Sequence, residues 1–138
     1  MADGEYGSYI CPVSAIQNIL NGKWKLSILW ILSKNTLRFN ELQRLLPDVS
    51  RGVLTQQLKE LEHNKMVHRE VYKEVPPKVE YSLTEIGESF IPVMTSIAEW
   101  GVAYLKELSN CDMTICIASK FNCPKCYEIL LSADSKQD

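Results

Sequence analysis

The sequence predicts a mainly α-helical fold carrying one small β-hairpin, and three observations predict it. Four stretches between residues 11 and 64 repeat apolar side chains three and four positions apart, the period of a helix with a buried face. After Met66 the period falls to two, with Val67, Arg69, Val71 and Lys73 on one side of "EVPPK" and Val79, Tyr81 and Leu83 on the other. Helical spacing then returns and runs to Leu108. A chain of 138 residues suits one domain with a short appendage. Its content, 46% hydrophobic and 23% charged, is ordinary for a globular protein and points away from a disordered or membrane-embedded class.

The first helix opens at Cys11-Pro12, because proline fits a first turn where its missing N–H costs nothing, and it passes through Ile16, Ile19 and Leu20 to stop at Asn21-Gly22. "KWKLSILWIL" is apolar on nearly every side and reads as a buried central helix ended by Asn35. Phe39, Leu42, Leu45 and Leu46 make a short third helix that stops before Pro47. Ser50 is the N-cap of a fourth, "RGVLTQQLKELEH", in which Leu54, Leu58 and Leu61 form the buried stripe. Two strands then flank a tip where Pro76 and Pro77 cannot donate to a ladder, so the tip projects from the sheet.

Thr84 caps one long helix, with Glu85 and Glu88 in the first turn, where carboxylates favour the helix dipole. Its apolar residues, among them Ile86, Phe90, Ile97, Trp100, Tyr104 and Leu108, make a face too broad for one small domain to cover. Part of that face is expected to meet a second chain. "PDVS" joins the third and fourth helices in a short turn, so the order is a helix-turn-helix followed by a hairpin, a winged helix-turn-helix.

That arrangement gives the outer face of the fourth helix a meaning. Opposite its leucines stand Arg51, Thr55, Gln56 and Lys59. A solvated face would be dominated by Glu and Lys, whereas this donor and acceptor set suits base edges and phosphates. Arg51, Thr55 and Gln56 are assigned to bases, since Arg on guanine and Gln on adenine each form two parallel hydrogen bonds, and Lys59 is assigned to a phosphate. Lys73 and Lys78 flank the stiff tip and suit the minor groove or its phosphates, although Glu74 and Glu80 dilute their charge. The net charge of −2 argues against a nucleic-acid partner, but residues 23–80 hold eleven Lys and Arg against seven Asp and Glu. Acidic ends around a basic middle permit a positive face.

Several strings carry a resemblance: "CPV" at 11–13, "GKW" at 22–24, "RFNEL" at 38–42, "LTQQLKELE" at 54–62, "EVPPKVEYSLT" at 74–84 and "WG" at 100–101. In this order and spacing they resemble the HxlR family of bacterial winged-helix regulators, relatives of the MarR group. The resemblance implies a homodimer joined by the N-terminal and long C-terminal helices, through Ile16, Ile97, Trp100, Tyr104 and Leu108 here, on a palindromic double-stranded operator. It implies a repressor or activator rather than an enzyme. Lys23 and Arg38, at element ends in these strings, become further phosphate candidates, while Trp24 reads as core. It also implies that the cysteine of "CPV" senses an oxidant or small electrophile in some members. Where the family has glycine at the end of the fourth helix this chain has Lys65; left-handed geometry costs a non-glycine residue about 1 kcal/mol or more, and Asn64 is expected to take that position.

Cys11 stands at a helix N-terminus, where dipole and free N–H groups favour a thiolate; the competing reading is a small buried thiol. Cys111, Cys116, Cys123 and Cys126 follow the family pattern's end. "CPKC" is the compact half of a zinc site or a redox pair, so zinc, reversible disulfides and reduced structural thiols all stay open. No cofactor is otherwise required. No phosphate loop or HExxH occurs, and His63 and His68 read as surface residues. The domain organisation is an arm over 1–10, the winged domain over 11–108 and a Cys-rich extension over 109–138. The longest apolar run, "LSILWILS", is far short of a membrane span, and no secretory signal pattern opens the chain, so a cytoplasmic protein is expected. The rival reading is a thiol-redox or zinc-dependent interaction protein that keeps the scaffold without specific DNA binding.

Overall fold

The computed structural model describes residues 11–109. Helix α1 (Pro12–Ile19) starts on proline with Cys11 as its N-cap residue and buries none of its own side chains. Gly22 turns the chain into α2 (Lys25–Leu32) at φ +139, a backbone conformation that demands glycine, and a Cβ there would also crowd the end of the Gln57 side chain. Helix α2 is the centre of the core, with Ile28, Leu29, Trp30, Ile31 and Leu32 all buried. Around it pack α3 (Phe39–Leu45) and α4 (Arg51–His63), which contribute Leu42, Leu54, Leu58 and Leu61, together with Leu46 and Val49 from the turn between them. Each fully buried leucine is worth about 1.5–3 kcal/mol. The angle between α3 and α4 is therefore held by the core. Gln43 Nε2 pins the turn itself by donating to the Val49 carbonyl at 2.6 Å, and Ser50 Oγ caps α4 by accepting from Val53 N–H at 3.2 Å.

Strands β2 (Val67–Tyr72) and β3 (Lys78–Leu83) form the expected hairpin, in a register that faces Val67 with Leu83, Arg69 with Tyr81 and Val71 with Val79. Lys73 lies just past the end of β2. A third strand, β1 (Leu37–Arg38), pairs antiparallel with β3, so the sheet has the order β1-β3-β2 and β2 is an exposed edge. Two residues are too short a run for alternation to announce, and sequence periodicity missed this strand. The fold is thus mostly helical with a small three-stranded antiparallel sheet.

Two expectations need correction. The helix after Thr84 is not continuous: α5 (Glu85–Ser89) ends at Phe90, and α6 (Ile91–Ser109) begins anew. Pro92 is the cause, since within one continuous helix it would lack an N–H and its ring would strike the carbonyl four residues back, whereas in a first turn it costs nothing. Thr84 does cap the short segment, its Oγ1 accepting from Gly87 N–H at 3.0 Å. At the end of α4 the left-handed residue is Lys65, at φ 61, and not Asn64, at φ −81. The two closing hydrogen bonds, Lys65 N–H to Glu62 O at 3.0 Å and Met66 N–H to Leu61 O at 2.9 Å, require the left-handed residue to follow the cap. Met66 and Leu61 are both buried beneath that turn.

Candidate nucleic-acid interface

Helix α4 divides as its pattern predicts. Leu54, Leu58 and Leu61 are at most 1% exposed, while Arg51, Thr55, Gln56 and Lys59 are all exposed. Three of the exposed side chains, those of Arg51, Thr55 and Gln56, are held by neighbouring groups. Arg51 spreads its guanidinium over the Phe39 ring, 4.7 Å from the centroid, and its Nη1 donates to Asn40 Oδ1 at 3.5 Å. Both partners come from the first turn of α3, so the helix-turn-helix angle also aims Arg51. Thr55 Oγ1 donates to the Arg51 carbonyl at 2.8 Å, and Gln56 Nε2 donates to Glu60 Oε1 at 3.0 Å.

Between α4 and the sheet runs a groove lined by Thr55, Lys59, Glu62, His63, Arg69 and Tyr81. Arg69 was not among the residues singled out from the sequence; only its alternation in β2 could have placed it, and the sheet's docking on α4 brings it beside Lys59. In the wing, Lys78 is half-buried, 2.8 Å from Glu80 Oε1 and 5.0 Å above the Tyr72 ring. The hydrogen bond between them lowers the Glu80 carboxyl and raises the Lys78 ammonium from their ordinary pKa values. Tyr72 is raised as well, chiefly by the Glu80 charge. Arg38 faces Glu80 across the β1-β3 ladder and caps α3, its N–H donating to Glu41 Oε1 at 2.9 Å. Two of the predicted phosphate ligands are therefore arranged about one carboxylate. Lys73 stays exposed at the wing tip, and Lys23 lies over the Trp24 ring at 5.1 Å. Trp24 is half-buried against the core, as expected.

Sequence reasoning also overlooked a polar dock behind α4. Lys25, inside the apolar run of α2, is only 3% exposed, with its Nζ 2.6 Å from Glu60 Oε2 and 3.4 Å from the Ile19 carbonyl. Trp24 N–H donates to Gln57 Oε1 at 3.2 Å. A lysine within a buried helix needs an anion, and that was the available signal.

A family profile described as HxlR-like helix-turn-helix matches residues 19–109. The chain belongs to the HxlR-like family. It is 49% identical over 94 residues to the HTH-type transcriptional regulator YdeP of Bacillus subtilis, itself uncharacterized, covering 68% of this chain and 73% of YdeP. Among solved structures, the redox regulator HypR in its reduced form is 42% identical with a TM-score of 0.69, covering 73% of this chain and all of that one. The reduced form of the transcriptional regulator YodB from B. subtilis is 31% identical with a TM-score of 0.63, over 75% of this chain and 100% of that one. YdeP and YodB are transcriptional regulators, and the helix-turn-helix regulators of this family are DNA-binding proteins, not enzymes.

Four of the five apolar residues expected at a dimer contact of this HxlR-like chain are exposed on the subunit. Ile16 on α1 and Ile97, Trp100 and Tyr104 on α6 are exposed, Trp100 at 66%, and the last two rings stack with centroids 4.8 Å apart. The side chain of Leu108 lies outside the described residues. A small apolar cavity between α2 and α6, lined by Leu26, Trp30, Met94 and Ile97, continues this face. Cys11 is exposed, which removes the reading of a thiol buried within the subunit. N–H groups of Ser14 and Val13 in the first turn hold its thiol below the usual pKa. Cys111, Cys116, Cys123 and Cys126 lie outside the described residues, and among the described residues no three His, Cys, Asp or Glu side chains gather as a metal site. Nor is any described helix long and apolar enough to cross a membrane.

Proposed function

We propose that this protein is a homodimeric, sequence-specific DNA-binding repressor that recognises an inverted-repeat operator and is released by thiol chemistry at Cys11. The observation that carries the reading is α4, whose leucines are sealed in the core while Arg51, Thr55, Gln56 and Lys59 face solvent, the first three held by neighbouring groups. Each subunit inserts α4 in the major groove, with Arg51, Thr55 and Gln56 toward base edges and Lys59 and Arg69 gripping phosphate. Lys73, Lys78, Lys23 and Arg38 anchor the flanking backbone. Exposed apolar side chains on α1 and α6 pair the subunits and set the half-sites about one helical turn apart.

Cys11, exposed at the start of α1 with its thiol pKa lowered by first-turn N–H groups, supports the switch, as does the likeness to HypR and YodB, each solved in two redox-related forms. Diamide takes two electrons and two protons from two thiols, which join as a disulfide. A quinone instead forms an S–C bond with one thiol, and the thiol proton passes to the quinone oxygen. Either product moves α1 at the dimer contact and changes the distance between the two α4 helices.

The test is a gel-shift on the DNA upstream of the protein's own gene, run reduced and after diamide, with wild type, Cys11→Ser and Arg51→Ala. Specific binding that oxidation abolishes, that Cys11→Ser protects and that Arg51→Ala weakens is expected. Specific binding indifferent to oxidation rejects the switch. A selection from random duplex DNA that enriches no site rejects the DNA reading. Trp100→Glu is expected to yield monomers in sedimentation and to weaken operator binding.

A further inference from the structure

We infer that Glu60 is a positioning residue for Gln56, clamped from behind by the buried Lys25, and that this bracket sets the base preference of α4; the inference rests on the base-reading role proposed for Gln56. Lys25 is 3% exposed and its ammonium needs an anion at hydrogen-bond distance, which Glu60 Oε2 supplies at 2.6 Å. The Ile19 carbonyl at 3.4 Å is a second acceptor and ties the ammonium to the end of α1. With one oxygen committed, the second, Oε1, accepts from Gln56 Nε2 at 3.0 Å, one turn earlier on the same helix. The Lys25 bond, and secondarily the Gln56 bond, hold the Glu60 carboxyl below the usual range, so it stays an acceptor at neutral pH.

Two consequences follow for reading DNA. A bare carboxylate on the recognition helix would repel phosphates, and the ammonium behind it cancels that charge. A glutamine side chain otherwise samples many rotamers, and ordering it on binding costs affinity. Anchoring one Nε2 hydrogen leaves the other hydrogen and Oε1 free, and these are the donor and acceptor that adenine N7 and N6 accommodate. Lys25 and Glu60 thus fix the orientation in which Gln56 meets a base without touching it themselves.

Sites are first selected from random duplex DNA with the wild-type protein, and affinities for the selected site and its single-base variants are then measured. Gln56→Ala is expected to reduce preference at one base pair per half-site by about tenfold. Glu60→Ala is expected to reduce preference at that same base pair by about threefold or more, to leave the other positions unchanged, and to add nothing in a Gln56→Ala background. Because Glu60→Ala leaves Lys25 buried and unpaired, the charge-free double variant Lys25→Met, Glu60→Leu is measured alongside; it is expected to keep the fold and to show the same loss. Wild-type preference at the Gln56 base pair in a folded Glu60→Ala or double variant, or an equal loss on every site, overturns the positioning role. A Gln56→Ala variant with every preference intact removes the base-reading role of Gln56 and the bracket with it, while a selection that enriches nothing overturns the DNA reading itself.

Discussion

Lys65→Gly should stabilise the protein, against the usual effect of placing glycine in a folded chain. Lys65 stands at φ 61 after the cap of α4, and two backbone hydrogen bonds, at 3.0 and 2.9 Å, depend on that geometry. A left-handed backbone costs lysine about 1–2 kcal/mol that glycine does not incur. Glycine in turn enlarges the unfolded ensemble, by about 0.4–1 kcal/mol. The difference is a gain of about 0.5–1 kcal/mol. Asn64→Gly supplies the contrast, because at φ −81 and ψ 9 asparagine bears no such penalty. There the entropy of glycine acts together with the loss of the asparagine side chain, and stability should fall by at least about 0.5–1 kcal/mol. Urea unfolding followed by far-ultraviolet circular dichroism measures both, at one protein concentration because an associating chain's midpoint depends on it. With a urea dependence of about 1–3 kcal/mol/M, the two midpoints should separate by about 0.3 M or more. A Lys65→Gly midpoint at or below wild type would refute the argument that this helix end carries a left-handed penalty.

Gly87→Ala should be among the most damaging single-methyl changes: its Cβ would lie 2.2 Å from the Met66 carbonyl oxygen. Helix α5 must back away from the Lys65-Met66 turn, which loosens Thr84 N–H to Met66 O and Thr84 Oγ1 to Lys65 O; unfolding should show a loss of about 2–5 kcal/mol. Acid should act through Glu60, whose pKa is lowered by Lys25. The pair's contribution is complete above the ordinary carboxylate range and is lost as pH falls through the lowered value, so on acidification through and below that range wild type should lose more stability than the charge-free double variant. For Cys11, the pH profile of iodoacetamide alkylation should reach half its maximum below that of a free cysteine peptide, and a coincident profile would remove the first-turn N–H groups as the cause.

By itself the sequence determined whatever depends on near neighbours. The periods of three and four in α4 and of two in the hairpin, the Ser50 and Thr84 caps and the proline at the start of α1 are local, and the structure bears them out. The exposed Arg51, Thr55, Gln56 and Lys59 followed from the same periodicity. Packing decided the rest. Strand β1 exists because β3 offers it a partner. Lys65 accepts left-handed geometry because the buried Met66 and Leu61 and two hydrogen bonds require the turn there, outweighing lysine's own preference. Arg69 shares a groove with Lys59 only through docking of the sheet on α4, and Lys25 met Glu60 across the interface of two helices far apart in sequence. The physical reason is common to all of these. Periodicity states which side of an element faces inward, whereas the partner of a buried charge or an aimed side chain is set by which element the core brings opposite it.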